Sequence, residues 1–280
     1  MSANEHLQIR VHGDASLPTL VYLPGMHGDW TLVSSFRAAV AGKVRFVEFA
    51  YPRTERLSLD DLAAAIEEAL LANGIERGWL LGESFGSQPA WALIARGRGF
   101  QAQGLILAGG FVRHPVTWGV RLAQRVSARV PMSFVKLFCV VYARYAKFRH
   151  KRAPETLASI TEFVANRTME ADRRAIVHRY RLIAINDLRP VARQTKLPVY
   201  YLAGVVDPLV PWPFVRWWLQ RNCPGYRGGR TMWRADHNVL GTAPQKSAEQ
   251  ILVWISDTRR SQRDVQLPNE VSQISADLLL

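Results

Sequence analysis

Ser84 stands at the centre of Gly82-Glu83-Ser84-Phe85-Gly86, between the apolar run Trp79-Leu80-Leu81 and the helical pattern Pro89-Ala90-Trp91-Ala92-Leu93-Ile94. A serine at the tip of a strand-to-helix turn sits in a strained backbone conformation, so its neighbours two residues away must be small. Gly82 and Gly86 meet that need. Such a turn presents the Ser84 hydroxyl at a sheet edge, with the first amides of the following helix facing any negative charge that develops there. A serine hydroxyl is a poor nucleophile until a base takes its proton, and histidine has the basicity for that task. His237 follows the last expected strand, within Ala235-Asp236-His237-Asn238-Val239. An acid must then orient the imidazole, and Asp207, in Gly204-Val205-Val206-Asp207 after another strand, has that position. The chemistry such a set performs is acyl transfer.

Neighbouring residues have their own readings. Asp236 adjoins His237, but adjacent loop residues rarely face each other, which favours Asp207 as the partner. Asp187 lies apart, before the strand at Val199. The glycine-rich loop Pro24-Gly25-Met26-His27-Gly28-Asp29-Trp30 follows the apolar run Thr19–Leu23, and free amides in such a loop can bind an oxyanion. Met26 is expected to supply one donor and Phe85 the other. His27 reads as a polar loop residue rather than a substrate contact, and His12, His114, His150 and His178 as surface or insertion residues. Glu83 is either a buried hydrogen-bonding support or a group that tunes His237.

These residues need a sheet to carry them. Leu7–Val11 alternates as a half-exposed strand, while Thr19–Leu23, Val44–Phe49, Gly78–Gly82, Gly104–Ala108 and Val199–Ala203 are apolar enough to be interior strands. A weaker strand is expected over Gly228–Arg234. Ser58 caps a helix running to Leu71, with Asn73-Gly74 beyond it, and further helices are expected over 87–95, 211–220 and 243–257. Strands that alternate with helices and are apolar on both faces predict an α/β fold with a mostly parallel sheet covered on both sides. From Phe111 to Pro190 no strand pattern is found, which predicts a helical insertion between two sheet strands.

Together the four stretches Pro24-Gly25-Met26-His27-Gly28, Gly82-Glu83-Ser84-Phe85-Gly86, Gly204-Val205-Val206-Asp207 and Asp236-His237 resemble the α/β-hydrolase fold family. The resemblance covers most of residues 1–257. It implies a core made of 1–112 and 191–257, and a helical cap over 113–190 that covers the active site and sets substrate range. A mobile tail is expected over 258–280. The family usually has His-Gly where this chain has Pro24-Gly25. Dehalogenases and epoxide hydrolases of this fold place a carboxylate where Ser84 stands, so an acyl-serine intermediate is expected here, formed from a carboxylic ester or thioester. An acyltransferase or amidase would use the same residues, and a catalytically silent binding protein is the alternative outside enzymes.

Composition bounds the rest. With 280 residues and 48 % apolar content the chain can bury a full core. No apolar run is long enough to span a bilayer, and the N-terminus has neither a basic start nor an apolar signal core, so a cytoplasmic protein is expected. Two cysteines and seven scattered histidines without ligand spacing predict no metal, and no cofactor is expected. The net charge of +13 is concentrated between Arg113 and Arg189, where sixteen Lys or Arg face five acids. Arg121, Arg125 and Arg129 form a stripe on one helix face, beside an apolar stripe of Leu122, Val126 and Val130. The apolar run Ser133–Tyr142 follows, then the basic cluster Arg144–Arg152. This pattern fits an apolar acyl pocket beneath a basic cap, and an anionic membrane surface as a further partner. Nucleic acid is not expected, since no binding motif accompanies the charge.

Overall fold

Seven strands form one sheet in the order β1-β3-β2-β4-β5-β6-β7. The strands are β1 (Gln8–His12), β2 (Thr19–Leu23), β3 (Arg45–Ala50), β4 (Arg77–Glu83), β5 (Gln101–Ala108), β6 (Val199–Gly204) and β7 (Tyr226–Met232). Only β1 runs antiparallel, with Ile9 opposite Phe49 of β3; every other pair is parallel. The computed structural model describes residues 6–131, 133, 134, 141, 144, 170–258 and 260.

Parallel neighbours require crossovers, and helices supply them. α1 (Ser34–Val40) precedes β3, α2 (Leu59–Ala72) joins β3 to β4, and α3 (Ser87–Arg96) joins β4 to β5. Between β5 and β6 lie α4 (Thr117–Arg129), α5 (Glu170–Ile185) and α6 (Arg189–Gln194), so the described part of the expected insertion is helical. α7 (Trp212–Asn222) joins β6 to β7, the short α8 (Val239–Thr242) follows β7, and α9 occupies 244–258. The apolar and basic stretches from Ser133 to Arg152, apart from residues 133, 134, 141 and 144, lie outside the described residues. So does the tail, apart from 258 and 260.

Strand side chains alternate between two cores, as the two-residue period demands. Val21, Leu23, Val47, Phe49, Leu80 and Leu107 pack with α2 and α3 on one face. Leu20, Tyr22, Phe46, Trp79, Leu81 and Ile106 pack with α1 and α9 on the other. Burial on both faces explains why these strands read as continuous apolar runs.

Local signals start the helices that set the sheet edge. Ser58 and Asp61 form a reciprocal capping box: Ser58 Oγ accepts the Asp61 amide at 3.1 Å, and Asp61 accepts the Ser58 amide at 2.9 Å. The short α1, not expected from sequence, starts after Val33 with no side-chain cap. The last helix, expected over 243–257, is found at 244–258, and the short α8 before it is an addition. Asn238 caps α8 by accepting the Gly241 amide at 3.0 Å, and the chain breaks at Ala243 before α9 begins.

Candidate active site

The site begins with the end of β4. Glu83 closes the strand, and Ser84 turns the chain with a φ of 50°, one of two non-glycine residues with positive φ among the described residues. That conformation costs on the order of 1–3 kcal/mol and persists only when the surroundings enforce it. Here they do. A short 3-10 turn, Ser84–Gly86, leads directly into α3, and a Cβ on Gly82 would lie 2.8 Å from Ser87 Cα. Strand and helix can close up only because position 82 has no side chain.

Buried side chains brace the turn. Ser87 Oγ lies 2.6 Å from Ser84 O and 2.9 Å from Phe111 O, and accepts the Phe111 amide at 3.0 Å. Gln88 donates to the carbonyls of Phe111 and Val112 at 3.2 and 3.1 Å. These bonds tie the start of α3 to the segment leaving β5. Sequence reasoning does not reach these roles, because the bonds to Phe111 and Val112 are to backbone atoms more than twenty residues away.

His237 and Asp207 arrive at the same edge from the segments after β7 and β6. His237 Nε2 lies 2.8 Å from Ser84 Oγ, and its Nδ1 lies 2.8 Å from Asp207 Oδ2. The Asp207 side chain is fully buried, and its Oδ1 accepts the amides of Leu209 and Val210 at 2.8 and 3.0 Å. A carboxylate held by two amides accepts the Nδ1 proton, which leaves Nε2 as acceptor for the serine hydroxyl. Asp236 faces elsewhere: its Oδ1 accepts from the Asn238 amide and the Thr242 hydroxyl. Asp187 is occupied by Arg189 and Arg113, and the hydrogen bonds from Arg189 pull its carboxyl down to about 2.

The loop after β2 lies against the serine. A Cβ on Gly25 would stand 3.3 Å from Ser84 Cβ, and the Gly28 amide closes a tight turn onto Gly25 O at 3.0 Å. Met26 is at the corner of this turn. Phe85 occupies the first turn after the strand, where helix geometry leaves an amide without an intrahelical acceptor. Glu83 is buried and accepts the Tyr22 hydroxyl, which burial, and then the Glu83 carboxylate, push well above the usual tyrosine range. His27 Nε2 lies 3.9 Å from the same carboxylate, and His27 lines the cavity over Ser84.

That cavity holds about 520 Å³. Its floor is Ser84 and His237; its walls include Val116 and then Gly119, Val120 and Ala123 of α4, with Tyr180 and Ile183 of α5. The α4 residues recur at helical spacing, so one face of the helix looks into the cavity. The wall is mostly apolar, and its polar members are Ser84, Asp207, His237, His27, His114, Glu83, Asn238 and Tyr180.

His114, at the start of the insertion, is also in this wall. The Val116 amide donates to His114 Nδ1 at 3.2 Å, and Nε2 lies 3.2 Å from Leu209 O, an arrangement satisfied by the neutral ring. Burial pushes its pKa down, which keeps it neutral. His114 thus braces the loop that holds Asp207.

Among the described residues no group of three or more potential ligands is placed to hold a metal ion, and no helix is long and apolar enough to cross a membrane.

No protein-family model matches the sequence, and no curated protein matches it. Solved structures do. An esterase from Thermogutta terrifontis is similar at 19 % identity and a TM-score of 0.69, over 90 % of this chain and 93 % of that one. A hydrolase from Pseudomonas aeruginosa PA01 is similar at 18 % identity and a TM-score of 0.72, over 89 % and 94 %. The N-acyl homoserine lactonase AidH, solved with N-hexanoyl homoserine lactone, is similar at 17 % identity and a TM-score of 0.67, over 92 % and 97 %. With the strand order and the turn at Ser84, these likenesses identify the architecture: the chain has the α/β-hydrolase fold.

Proposed function

We propose that the protein is a serine hydrolase that cleaves a carboxylic ester or thioester through an acyl-serine intermediate. The observation that carries this reading is the unbroken hydrogen-bonded chain Asp207–His237–Ser84, at 2.8 Å per link, beneath an apolar cavity. As Ser84 Oγ attacks the acyl carbon, His237 Nε2 takes its proton and Asp207 stabilises the imidazolium. The amides of Met26 and Phe85 receive the oxyanion. Collapse breaks the bond to the alcohol or thiol, which leaves with the proton from His237. Water then attacks the acyl-serine, giving its proton to His237. When the second intermediate collapses, the acid departs and the proton returns to Ser84.

The cavity supplies the substrate class. An apolar wall built from α4 and α5 suits an acyl chain of medium length, and the segment 113–190 acts as the cap over it. The esterases and the lactonase among the structural neighbours act on ester bonds, consistent with this reading. Intact-mass labelling with a serine-reactive fluorophosphonate tests it. One adduct on the wild type, absent from Ser84→Ala and His237→Ala, is the expected result; no adduct on folded wild type would instead support a silent binding protein. A screen of acyl esters and thioesters from acetyl to decanoyl then reads the pocket, with activity expected to rise toward medium chains. Transfer to an added alcohol or amine in competition with water would reveal an acyltransferase.

A second reading concerns where substrate comes from. Arg121, Arg125 and Arg129 lie exposed along α4, with Trp118 72 % exposed and Leu122 and Val126 about half exposed beside them. Basic and aromatic residues on one amphipathic helix suit an anionic membrane surface. Pelleting with phosphatidylserine vesicles, lost in a variant with all three arginines changed to Glu and weakened by salt, is the expected outcome. Salt-insensitive pelleting, or none, would remove this partner.

A further inference from the structure

The guanidinium of Arg179, on α5, is buried, and its Nη1 donates to the carbonyl oxygen of Met26 at 2.9 Å. Removing a cation from water is costly unless its donors are met, so a buried arginine held on a loop carbonyl is a specific structural choice. The loop is shaped to receive it. A Cβ on Gly28 would fall 2.4 Å from the Arg179 guanidinium nitrogens, and Gly28 has a φ of 81°, so position 28 needs glycine for both space and conformation. Tyr51 completes the seat, with its ring 5.6 Å from the guanidinium carbon and its amide donating to Gly28 O at 2.7 Å.

The turn Gly25–Gly28 is therefore held from three sides. Gly25 packs on Ser84, Gly28 bonds to Tyr51, and Met26 O is taken by a residue of the segment between β5 and β6. The Gly25 carbonyl, held by the Gly28 amide, shares its peptide plane with the Met26 amide, and the bond from Arg179 holds the next plane, so the Met26 amide is set between two fixed planes. Elsewhere on α5, Arg173 Nη1 donates to the carbonyl oxygens of Ser127 and Ala128, at 3.1 and 2.5 Å, which ties the helix to α4.

We propose that Arg179 is a positioning residue for the oxyanion loop, so that the α5 helix, besides lining the pocket, orients the amide that stabilises the transition state. This rests on the assignment of Met26 as an oxyanion donor in a serine hydrolase. An amide turned away from the developing charge loses stabilisation that ground-state binding does not use, so kcat falls while KM holds.

The test uses the full chain and a p-nitrophenyl ester that the wild type hydrolyses. Arg179→Met is expected to lower kcat at least tenfold with KM within about twofold, since loss of a whole oxyanion donor costs about 10²–10³-fold. Arg179→Gly is expected to regain activity on addition of guanidinium or methylguanidinium ions, which should leave the wild type unaffected. Arg173→Met, which loosens α5 from α4, is expected to lower the melting temperature while kcat stays within about threefold. Equal losses of kcat in the Arg173 and Arg179 variants, or an Arg179→Met protein with wild-type kcat, would overturn the proposal. If Arg179→Met does not fold, Arg179→Lys takes its place, with a smaller fall in kcat at unchanged KM expected, and wild-type kcat again counting against the role. Failure of wild type to take a fluorophosphonate at Ser84 would strike the hydrolase assignment itself, a separate outcome from wild-type kcat in the Arg179 variants.

Discussion

Gly86 lies so close to the end of β2 that a Cβ built on it would stand 2.0 Å from the carbonyl oxygen of Leu23. The loop that carries Met26 begins at the next residue, Pro24, whose carbonyl the same Cβ would approach to 2.8 Å. The turn that carries Ser84 and the loop that faces it are thus packed backbone to backbone, and the spacing between them depends on a missing methyl group.

Gly86→Ala must push the two apart. The clash is with backbone, which cannot rotate away, and overpacking of this kind typically costs about 1–3 kcal/mol. The functional effect is expected to be larger, because misplacement of a reacting group by about 1 Å can cost about 10²-fold in rate. Chemical denaturation and esterase kinetics on the same preparation check this. A variant with wild-type kcat would show that the contact between turn and loop has no bearing on catalysis.

Asp207→Asn keeps the shape of the acid but changes what it can accept. The amides of Leu209 and Val210 would still bond the side-chain oxygen, leaving the amide nitrogen toward His237 Nδ1. A donor there forces the imidazole proton onto Nε2, where it confronts the serine hydroxyl. A fall in kcat of about 10⁴-fold is expected, by analogy with the same change in serine proteases. A loss under tenfold, with Asp236→Asn more damaging, would move the acid role to the neighbouring residue.

Glu67 gives a pH dependence of stability that is separate from catalysis. Burial would raise the pKa of its carboxyl, but the amides of Gly99 and Phe100, at 2.8 and 3.2 Å, and the Arg96 guanidinium, at 3.1 Å, outweigh it and hold it below the usual range. A folded-state pKa below the unfolded value means that the contribution is fully present well above 4.5 and is lost as pH falls through the folded value. Glu67→Gln is therefore expected to be less stable than wild type at pH 7 by roughly 1–3 kcal/mol. The gap should narrow as pH falls below the ordinary glutamate range. Urea midpoints of both proteins from pH 7 to pH 3 measure it; a gap that stays constant with pH would mean that the charge on Glu67 is not what matters.

The parts of the site legible in the sequence are those that follow a strand directly. Ser84, Asp207 and His237 each come within a few residues of a strand's C-terminal end, so a parallel sheet brings them to one edge wherever the intervening helices lie. The residues that escaped notice act on backbone atoms far along the chain. Ser87 and Gln88 hold the carbonyl of Phe111, His114 faces Leu209, and Arg179 reaches Met26 from the far side of the sequence. No residue type or spacing encodes such contacts, because a carbonyl oxygen carries no side-chain signature. Glycines were the partial exception: Gly28 looked like loop glycine, and only the guanidinium in its Cβ position shows a second reason for it.

The α4 wall of the cavity offers a direct test of the acyl pocket. Gly119, Val120 and Ala123 lie on one face of the helix, with Val116 just before it, and the two small members leave the depth of the cavity open between α4 and α5. Ala123→Leu fills that space with an apolar side chain and introduces no polar group, so folding and the reacting groups at Ser84 are expected to be untouched. The shape of the substrate should then matter more than its chemistry. With each methylene in an apolar pocket worth about 1–3 kcal/mol, kcat/KM for an octanoyl ester is expected to fall at least tenfold, while that for an acetyl ester stays within about threefold. The optimum should move to shorter chains. If both esters lose activity equally, the acyl chain does not run along α4, and the pocket's depth must be sought toward Leu209 and Pro211 at the other side of the cavity.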